Sequence, residues 1–320
     1  MKLSKAKGCI LGVAIGDALG APVEFDSIES IKSKYGKGGV TNLARWGGFP
    51  AGSYTDDTQM SMATARGIIQ AGGSEEINII RAVYAEYLSW LKTQTIPHER
   101  RAPGNTCLGA LGSGKMGRIE KPINNSKGCG GVMRTAPVGL VFSGAEAFRV
   151  GAACAALTHG HPSGYLSAGF LSELVSHLVD DKPVREGIDF CLKILEVHEE
   201  REELLAVVSL ALEPTKEDLN PEQAIPTIGE GWTGEEALGI ALYCALRFEH
   251  DFRAGVLAAV NHGGDSDSTG SITGAILGAR LGIEAIPKDW VERVENSQEI
   301  LQIAKELFRL REKITRGAAM

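Results

Sequence analysis

Two segments of this 320-residue chain constrain its fold more than any others: Gly8 to Ala21, GCILGVAIGDALGA, and Ser268 to Gly282, STGSITGAILGARLG. Both are helix-like, yet both are studded with Gly, Ala and Ser. Glycine inside a helix costs up to about 1 kcal/mol against alanine, so a compensating gain is expected. Small residues at these spacings let helix axes approach closely. The two segments are therefore expected to pack centrally, against each other or against other helices. Glycine is also the compositional outlier, at 40 of 320 residues against a usual share of about 7%. The glycines follow no collagen period and lie mostly in apolar segments, which argues for close backbone approach rather than a flexible linker.

The remaining periodic stretches also read as helices. Ile77, Ile80, Tyr84, Tyr87, Leu88 and Leu91 follow three- and four-residue spacing after Ser74, an expected N-cap. Ser143 with Glu146 and Thr233 with Glu236 have capping-box spacing. Ile188, Cys191, Leu192 and Leu195 form one stripe; Ile300, Ile303, Ala304, Leu307 and Phe308 form another. Loops are expected at 35–53, 93–107, 117–131 and 213–232. No ladder of alternating β-branched residues and no strand–helix alternation occurs. Length alone allows two domains, but no composition break divides the chain. The reading is an all-α, single-domain orthogonal multi-helix bundle spanning 1–320.

Several classes are disfavoured. A formal net charge of −7 lacks the basic footprint of non-specific nucleic-acid binding. No apolar run reaches the roughly 18 residues of a membrane span. The first residues imitate a signal peptide, with lysines, a short apolar stretch and small residues, but Asp17 closes the apolar stretch early and the segment is expected to be retained. Cys9, Cys107, Cys129, Cys154, Cys191 and Cys244 lie far apart with no CxxC pair. They read as buried reduced thiols, and the chain as cytoplasmic.

Two acidic clusters open helical patterns: Tyr54-Thr55-Asp56-Asp57-Thr58, and Asn261 to Gly270, NHGGDSDSTG. Helix capping explains one such cluster, because Asp, Ser and Thr are preferred at N-termini and the helix dipole favours anions. Two clusters offer more acceptor oxygens than caps require. Hard oxygen ligands without nearby histidine or thiolate suit Mg²⁺, Mn²⁺ or Ca²⁺ better than zinc. An EF-hand loop starting at Asp265 is excluded, because Ile276 occupies its twelfth position. Convergence of the four aspartates would require cations to offset repulsion, and two divalent ions balance four carboxylates.

GCILGVAIGDALGAPVEF, YTDDTQM, KGCGGVMRTAPVG, THGHP and GGDSDSTG, in this order, resemble the ADP-ribosylglycohydrolase family, which includes dinitrogenase-reductase-activating glycohydrolases and ADP-ribosylarginine hydrolases. The resemblance runs from about residue 8 to about 282. It implies an all-α domain with a binuclear Mg²⁺ or Mn²⁺ cleft, ligated by Thr55, Asp56, Asp57, Asp265, Asp267 and Ser268. Many members have Thr where this chain has Ser268; the hydroxyl offers the same oxygen. Glu24, in GAPVEF, takes the place of the family's catalytic or metal-associated glutamate, although alone it reads as an ordinary surface residue. Asp17 reads as a buried hydrogen-bonding carboxylate.

The resemblance also implies a substrate cradle. Lys127 to Arg134 combines free glycines with a cation; by position Gly130, Gly131 and Met133 face the diphosphate, though a simple turn is the competing reading. Arg134 either pairs with phosphate or makes an internal salt bridge. His159 lines the cleft as a neutral donor or is structural, and His262 is similarly ambiguous; histidines two apart, His159 and His161, do not form a zinc site. Trp232 covers the nucleotide or ribose, or packs in the core, and Asn105 resembles the substrate-loop asparagine.

The implied reaction is metal-dependent hydrolysis between ADP-ribose C1″ and a modified side chain, foremost arginine, with Glu24 or Asp57 as base. The partners are an ADP-ribosylated protein as substrate and ADP-ribose as product, without nucleic acid or membrane. Arg100 and Arg101 in HERRAP depart from an acidic pattern and oppose arginine selectivity if they point inward. Alternatives are serine-linked or free ADP-ribosyl substrates, a non-catalytic crystallin-like protein, or an immunity protein facing an ADP-ribosyltransferase toxin, by occlusion or by catalysis.

Overall fold

The glycines of the two small-residue segments face each other backbone to backbone. In the computed structural model, which describes residues 1–216 and 219–318, the first segment lies in helix α1 (Leu3–Gly20) and the second in a late helix, Ser266–Leu281. The helices run antiparallel: Gly8 meets Gly278, Gly12 meets Gly274, Gly16 meets Gly270 and Gly20 meets Ser266. A Cβ added to Gly12 would lie 2.0 Å from the Gly274 carbonyl oxygen, and one on Gly274 would lie 2.0 Å from that of Gly12. No side chain fits there, so the lost helix propensity is exchanged for close packing and dispersion along the seam.

Sixteen α-helices and no β-strand occur among the described residues, in one domain. After α1 come α2 (Ile28–Tyr35), α3 (Asp56–Ala71), α4 (Glu76–Thr93), α5 (Asn105–Gly112), α6 (Ala136–Gly139), α7 (Ala145–Ala156) and α8 (Pro162–Val179). The second half holds α9 (Val184–Leu195), α10 (Glu202–Lys216), α11 (Pro221–Ile228), α12 (Gly234–Arg247), α13 (Phe252–Val260), α14 (Ser266–Leu281), α15 (Lys288–Arg293) and α16 (Ser297–Ala318). Helices α1, α8, α12 and α14 are buried along most of their lengths and form the centre. Amphipathic helices such as α9 cover them. No helix among the described residues is long and apolar enough to cross a membrane.

Local details depart from the sequence reading. Helix α4 starts after Glu75 rather than Ser74, and its buried face is Ile79, Ile80, Val83, Tyr87 and Trp90, with Ile77 exposed. Neither predicted capping box forms: Gly144 precedes α7, and the Thr233 hydroxyl caps nothing. The 213–232 interval is not all loop, because α10 extends to Lys216 and α11 occupies Pro221–Ile228. Pro221 suits the first helical turn, and Asn220 with Gln223 forms a complete capping box there.

The antiparallel seam positions the site. It brings the C-terminal end of α1, and Glu24 just beyond it, beside the N-terminus of α14 with Asp265, Asp267 and Ser268. Asp17 then ties α3 to α1: its carboxylate accepts from Thr55 N at 2.8 Å, Thr58 N at 3.0 Å and Thr58 Oγ1 at 2.6 Å. That is the hydrogen-bonding role expected of a lone buried aspartate.

Candidate active site

Three helix-adjoining segments converge on a cavity of about 180 Å³. It is lined by the carboxylates Glu24, Asp56, Asp57, Asp265 and Asp267, together with Ser268, and no Lys or Arg is among its lining residues. The carboxylates come from the turn after α1, the first turn of α3 and the start of α14. One oxygen each from Glu24, Asp265 and Asp267 lie within 4.8 Å of one another. Helix capping engages part of this set: Thr55 Oγ1 accepts from Asp57 N, and Asp265 Oδ1 from Ser268 N. It leaves Asp57 Oδ2 buried with no hydrogen-bond partner. A buried, orphaned carboxylate oxygen in an all-acidic cavity is the arrangement a hard divalent cation would complete.

Burial raises the carboxyls of Asp56, Asp57 and Asp265 well above the usual range, and the charge on Asp267 is the next cause at each. Glu24 is pushed to about 10 by burial and then by Asp267 and Asp265. Asp17 is pushed to about 7 by burial and then by Asp267. Raised folded-state values contribute stability that is complete below the unfolded pKa and is lost as pH rises through the folded one. The protein in chelator should therefore lose melting temperature between about pH 4 and pH 8. Mg²⁺ should recover more of it at pH 8 than at pH 5, where protons compete for the carboxylates. Differential scanning calorimetry at both pH values checks this; an equal Mg²⁺ shift would contradict it.

Across the cavity lie Asn105, Gly130, Met133 and His159. Arg134 Nη2 donates to Thr158 Oγ1 at 2.5 Å, and His159 Nδ1 lies 2.8 Å from that same oxygen. The Thr158 proton can then serve Nδ1, leaving Nε2–H beside Gly128 and Gly130. Burial pushes the imidazole down to about 3, so the ring is a neutral donor. His161 instead caps α8, accepting from Ser163 N. Thr55, Gly131 and Trp232 lie outside the cavity lining.

Several expectations are corrected. Arg134 makes no ion pair with a carboxylate among the described residues and is absent from the cavity lining; it is fully buried, bonded to Thr158 and the Cys154 carbonyl, with its guanidinium 4.4 Å from the Tyr87 ring centroid. Lys127 is held by Glu235 at 2.6 Å and Glu203 at 2.9 Å and is absent from the cavity lining. Neither Arg100 nor Arg101 lines the cavity. Arg101 pairs with Glu295 through both terminal nitrogens, over the rings of Phe49 and Tyr54, while its carbonyl accepts from Asp56 N at 2.9 Å.

Sequence reasoning assigned no role to Cys107 and Cys129, which line the cavity. Cys129 Sγ lies 2.7 Å from Asp265 Oδ2. Its position inside KGCGG was the only available signal. Trp232 stacks on Phe25 with centroids 5.1 Å apart, donates from Nε1 to Glu230, and accepts from Cys129 N through its carbonyl. The indole thus borders the carboxylate cavity from an adjoining one.

Together these features define an all-helical protein whose carboxylate-lined cleft faces a glycine-rich amide loop. A family model for ADP-ribosylglycohydrolases matches residues 1–316, and the chain belongs to that family, whose members hydrolyse ADP-ribosyl linkages. It is 28% identical to the ADP-ribosyl-[dinitrogen reductase] glycohydrolase of Rhodospirillum rubrum over 92% of both chains. It is also 28% identical to the ADP-ribosylarginine hydrolase Tri1 of Pseudomonas putida, over 96% of this chain and 78% of that one. Mouse ADP-ribosylhydrolase ARH3 is 25% identical over 96% of this chain and 92% of its own. A solved structure described as an ADP-ribosylglycohydrolase-related protein complex superposes with a TM-score of 0.74 at 25% identity, covering 97% of this chain and 98% of that one.

Proposed function

We propose that this protein is a divalent-metal-dependent hydrolase that releases ADP-ribose from modified arginine side chains of proteins, acting in the cytoplasm. The observation that carries the reading is the convergence of five carboxylates, from residues 24, 56–57 and 265–267, on one cavity with no cationic side chain in its lining. Asp56, Asp57, Asp265 and Asp267, with Thr55 and Ser268 at the helix starts, would hold two Mg²⁺ or Mn²⁺ ions. When bound, such ions would offset the clustered charge and position the vicinal hydroxyls of the distal ribose.

The chain's own residues supply the rest. Carboxylates around the cavity stabilise the positive charge that builds at C1″ as the glycosidic bond lengthens. Glu24 takes a proton from the attacking water; the water oxygen bonds to C1″, and the C1″–N bond breaks with its electron pair going to the guanidino nitrogen. The proton held by Glu24 then passes to that nitrogen. Gly128 N, Cys129 N and Gly131 N already donate to Ser126, Trp232 and Gly128, so the Gly130 amide and His159 Nε2–H are the donors that would face the anionic diphosphate. Glu24 is half-buried, and the Asp267 and Asp265 charges that help hold its carboxyl protonated in the metal-free protein would be offset by bound cations, which would free it to act as the base. Arginine as acceptor is supported by the absence of Arg100 and Arg101 from the cavity lining and by the arginine-hydrolase activity in the name of the Pseudomonas putida relative.

Replacing Glu24 by Gln keeps size and polarity but removes the base. It should lower kcat by roughly 10²–10⁴-fold while changing ADP-ribose affinity much less. Matched arginine- and serine-modified peptides, compared by kcat/KM at saturating Mg²⁺, test the linkage. Arginine is expected to be faster; preferential release from serine would reassign the substrate. Turnover that continues undiminished in chelator would remove the metal from the reading.

A further inference from the structure

A second cavity, of about 470 Å³, adjoins the carboxylate cleft and has no part in the chemistry above. Its walls come from Phe25–Glu29, from 225–232 and from His262–Gly264. Phe25 directly follows Glu24, Gly264 directly precedes Asp265, and Asp265 N donates to the Glu230 carbonyl at 2.8 Å. The two cavities therefore share a wall, and whatever sits in the second lies close to the bond being cleaved.

Its chemistry is one-sided. Asp26, Glu29 and Glu230 line it, and no Lys or Arg does. Asp26 is already matched by Lys34, at 2.6 Å and 2.8 Å. Glu29 and Glu230 have no salt-bridge partner among the described residues, and Glu230 Oε2 only accepts from the Trp232 indole at 3.0 Å. His262 also lines the cavity and is 2% exposed. Its Nε2 lies 2.9 Å from Thr269 Oγ1, which is itself 2.8 Å from the carbonyls of Ala259 and Asp265. With the hydroxyl proton directed to a carbonyl, Nε2 carries the imidazole hydrogen. Nδ1 is then a lone pair, and it has no hydrogen-bond partner.

The aromatic wall adds to this. Phe25 is 75% exposed, in the left-handed region at φ 69°, and stacked on Trp232. An aromatic held outward in that conformation gains little from core burial, whereas its open face suits a cation. The carboxylates and aromatic faces disfavour a diphosphate and attract a protonated amine or guanidinium.

We propose that this cavity binds a lysine or arginine side chain of the protein substrate flanking the modified residue, so that the enzyme prefers ADP-ribosylation sites in basic sequence. The inference rests on the proposed action on ADP-ribosylated proteins.

It is tested by binding and by turnover. Two labelled, unmodified peptides, identical except for lysines or glutamates around a central arginine, are titrated against the full protein by fluorescence anisotropy at low salt. The basic peptide should bind at least about tenfold more tightly, with the difference shrinking as salt is added. In a Glu29→Gln/Glu230→Gln variant the preference should fall to about twofold or less; charge neutralisation at these exposed positions leaves the buried core untouched. Equal binding of the two peptides, or a preference that survives in the variant, overturns the inference. So does displacement of the basic peptide by ADP-ribose alone, which would assign the cavity to the nucleotide. The ADP-ribosylated versions of both peptides should show the same ranking in kcat/KM. Absence of turnover on every arginine-linked substrate would overturn the proposed activity, while the anisotropy result would still decide the cavity's preference.

Discussion

Replacing Asp267 by Asn should weaken divalent-cation binding severely and lower turnover by roughly 10³-fold or more, while raising the melting temperature of the metal-free protein. The opposite signs follow from Asp267's place in the cluster. After burial, its charge is the largest cause raising the carboxyls of Asp56, Asp57, Asp265, Glu24 and Asp17. Removing it relieves repulsion on five neighbours in the apo protein. It also removes a proposed cation ligand and its charge. Asparagine is nearly isosteric, and its Oδ1 can keep the bond now accepted from Ser268 N at 2.9 Å. If these acids serve only as helix caps, the substitution costs up to about 1–2 kcal/mol of stability and changes no metal affinity. Mn²⁺ titration calorimetry and thermal unfolding in chelator separate the cases. A variant that melts lower and binds Mn²⁺ as tightly as the parent would leave capping as the explanation of both clusters.

Gly12→Ala is expected to destabilise the protein by about 3 kcal/mol or more, although alanine is the better helix former by up to about 1 kcal/mol. The added methyl would lie 2.0 Å from the Gly274 carbonyl oxygen and 2.5 Å from its carbon. Both are backbone atoms and cannot rotate away, so α1 and α14 must separate. The same separation would draw Asp17 and Glu24 away from Asp265 and Asp267, so activity should fall with stability. Gly109→Ala is the control: it lies in the exposed part of α5 with nothing within 4 Å of the new methyl, and should stabilise by about 0.5–1 kcal/mol. Urea unfolding of both variants reads the contrast. A Gly12→Ala protein as stable as the parent would mean that the seam tolerates a wider spacing.

Legibility in the sequence followed the range of the interactions. The small-residue helices, the all-α class and the two acidic helix starts are local patterns, and each is present in the structure. Arg134 was harder to read. Beside a glycine loop it suggested phosphate or an internal salt bridge, whereas the side chain is fully buried and bonds Thr158 and the Cys154 carbonyl over the Tyr87 ring. The partners of Lys127 were hidden for the same reason, because Glu203 and Glu235 are distant in sequence. In α4 the periodicity was correct but the buried face was rotated, since what packs against a helix chooses among its apolar stripes. Helix α11 was missed because two prolines within eight residues resemble a loop, although the first sits where a helix starts.

Residue order alone carries whatever depends on neighbours three or four positions away: where helices run, where a side chain cannot fit, and which helix starts are rich in hard oxygen ligands. It also carries the family resemblance, since motif identity and order need no coordinates. Only the packed chain settles that α1 and α14 run antiparallel with Gly12 against Gly274. From that one contact follow the meeting of Glu24 with Asp265 and Asp267, the inward turn of Asp17 to hold α3, and the adjoining acidic cavity behind Phe25 and Trp232. The reason is geometric. Helical rise sets distances along a segment to within ångströms, whereas residues 24, 57 and 267 are brought together only by the relative placement of three helices, which the whole core determines.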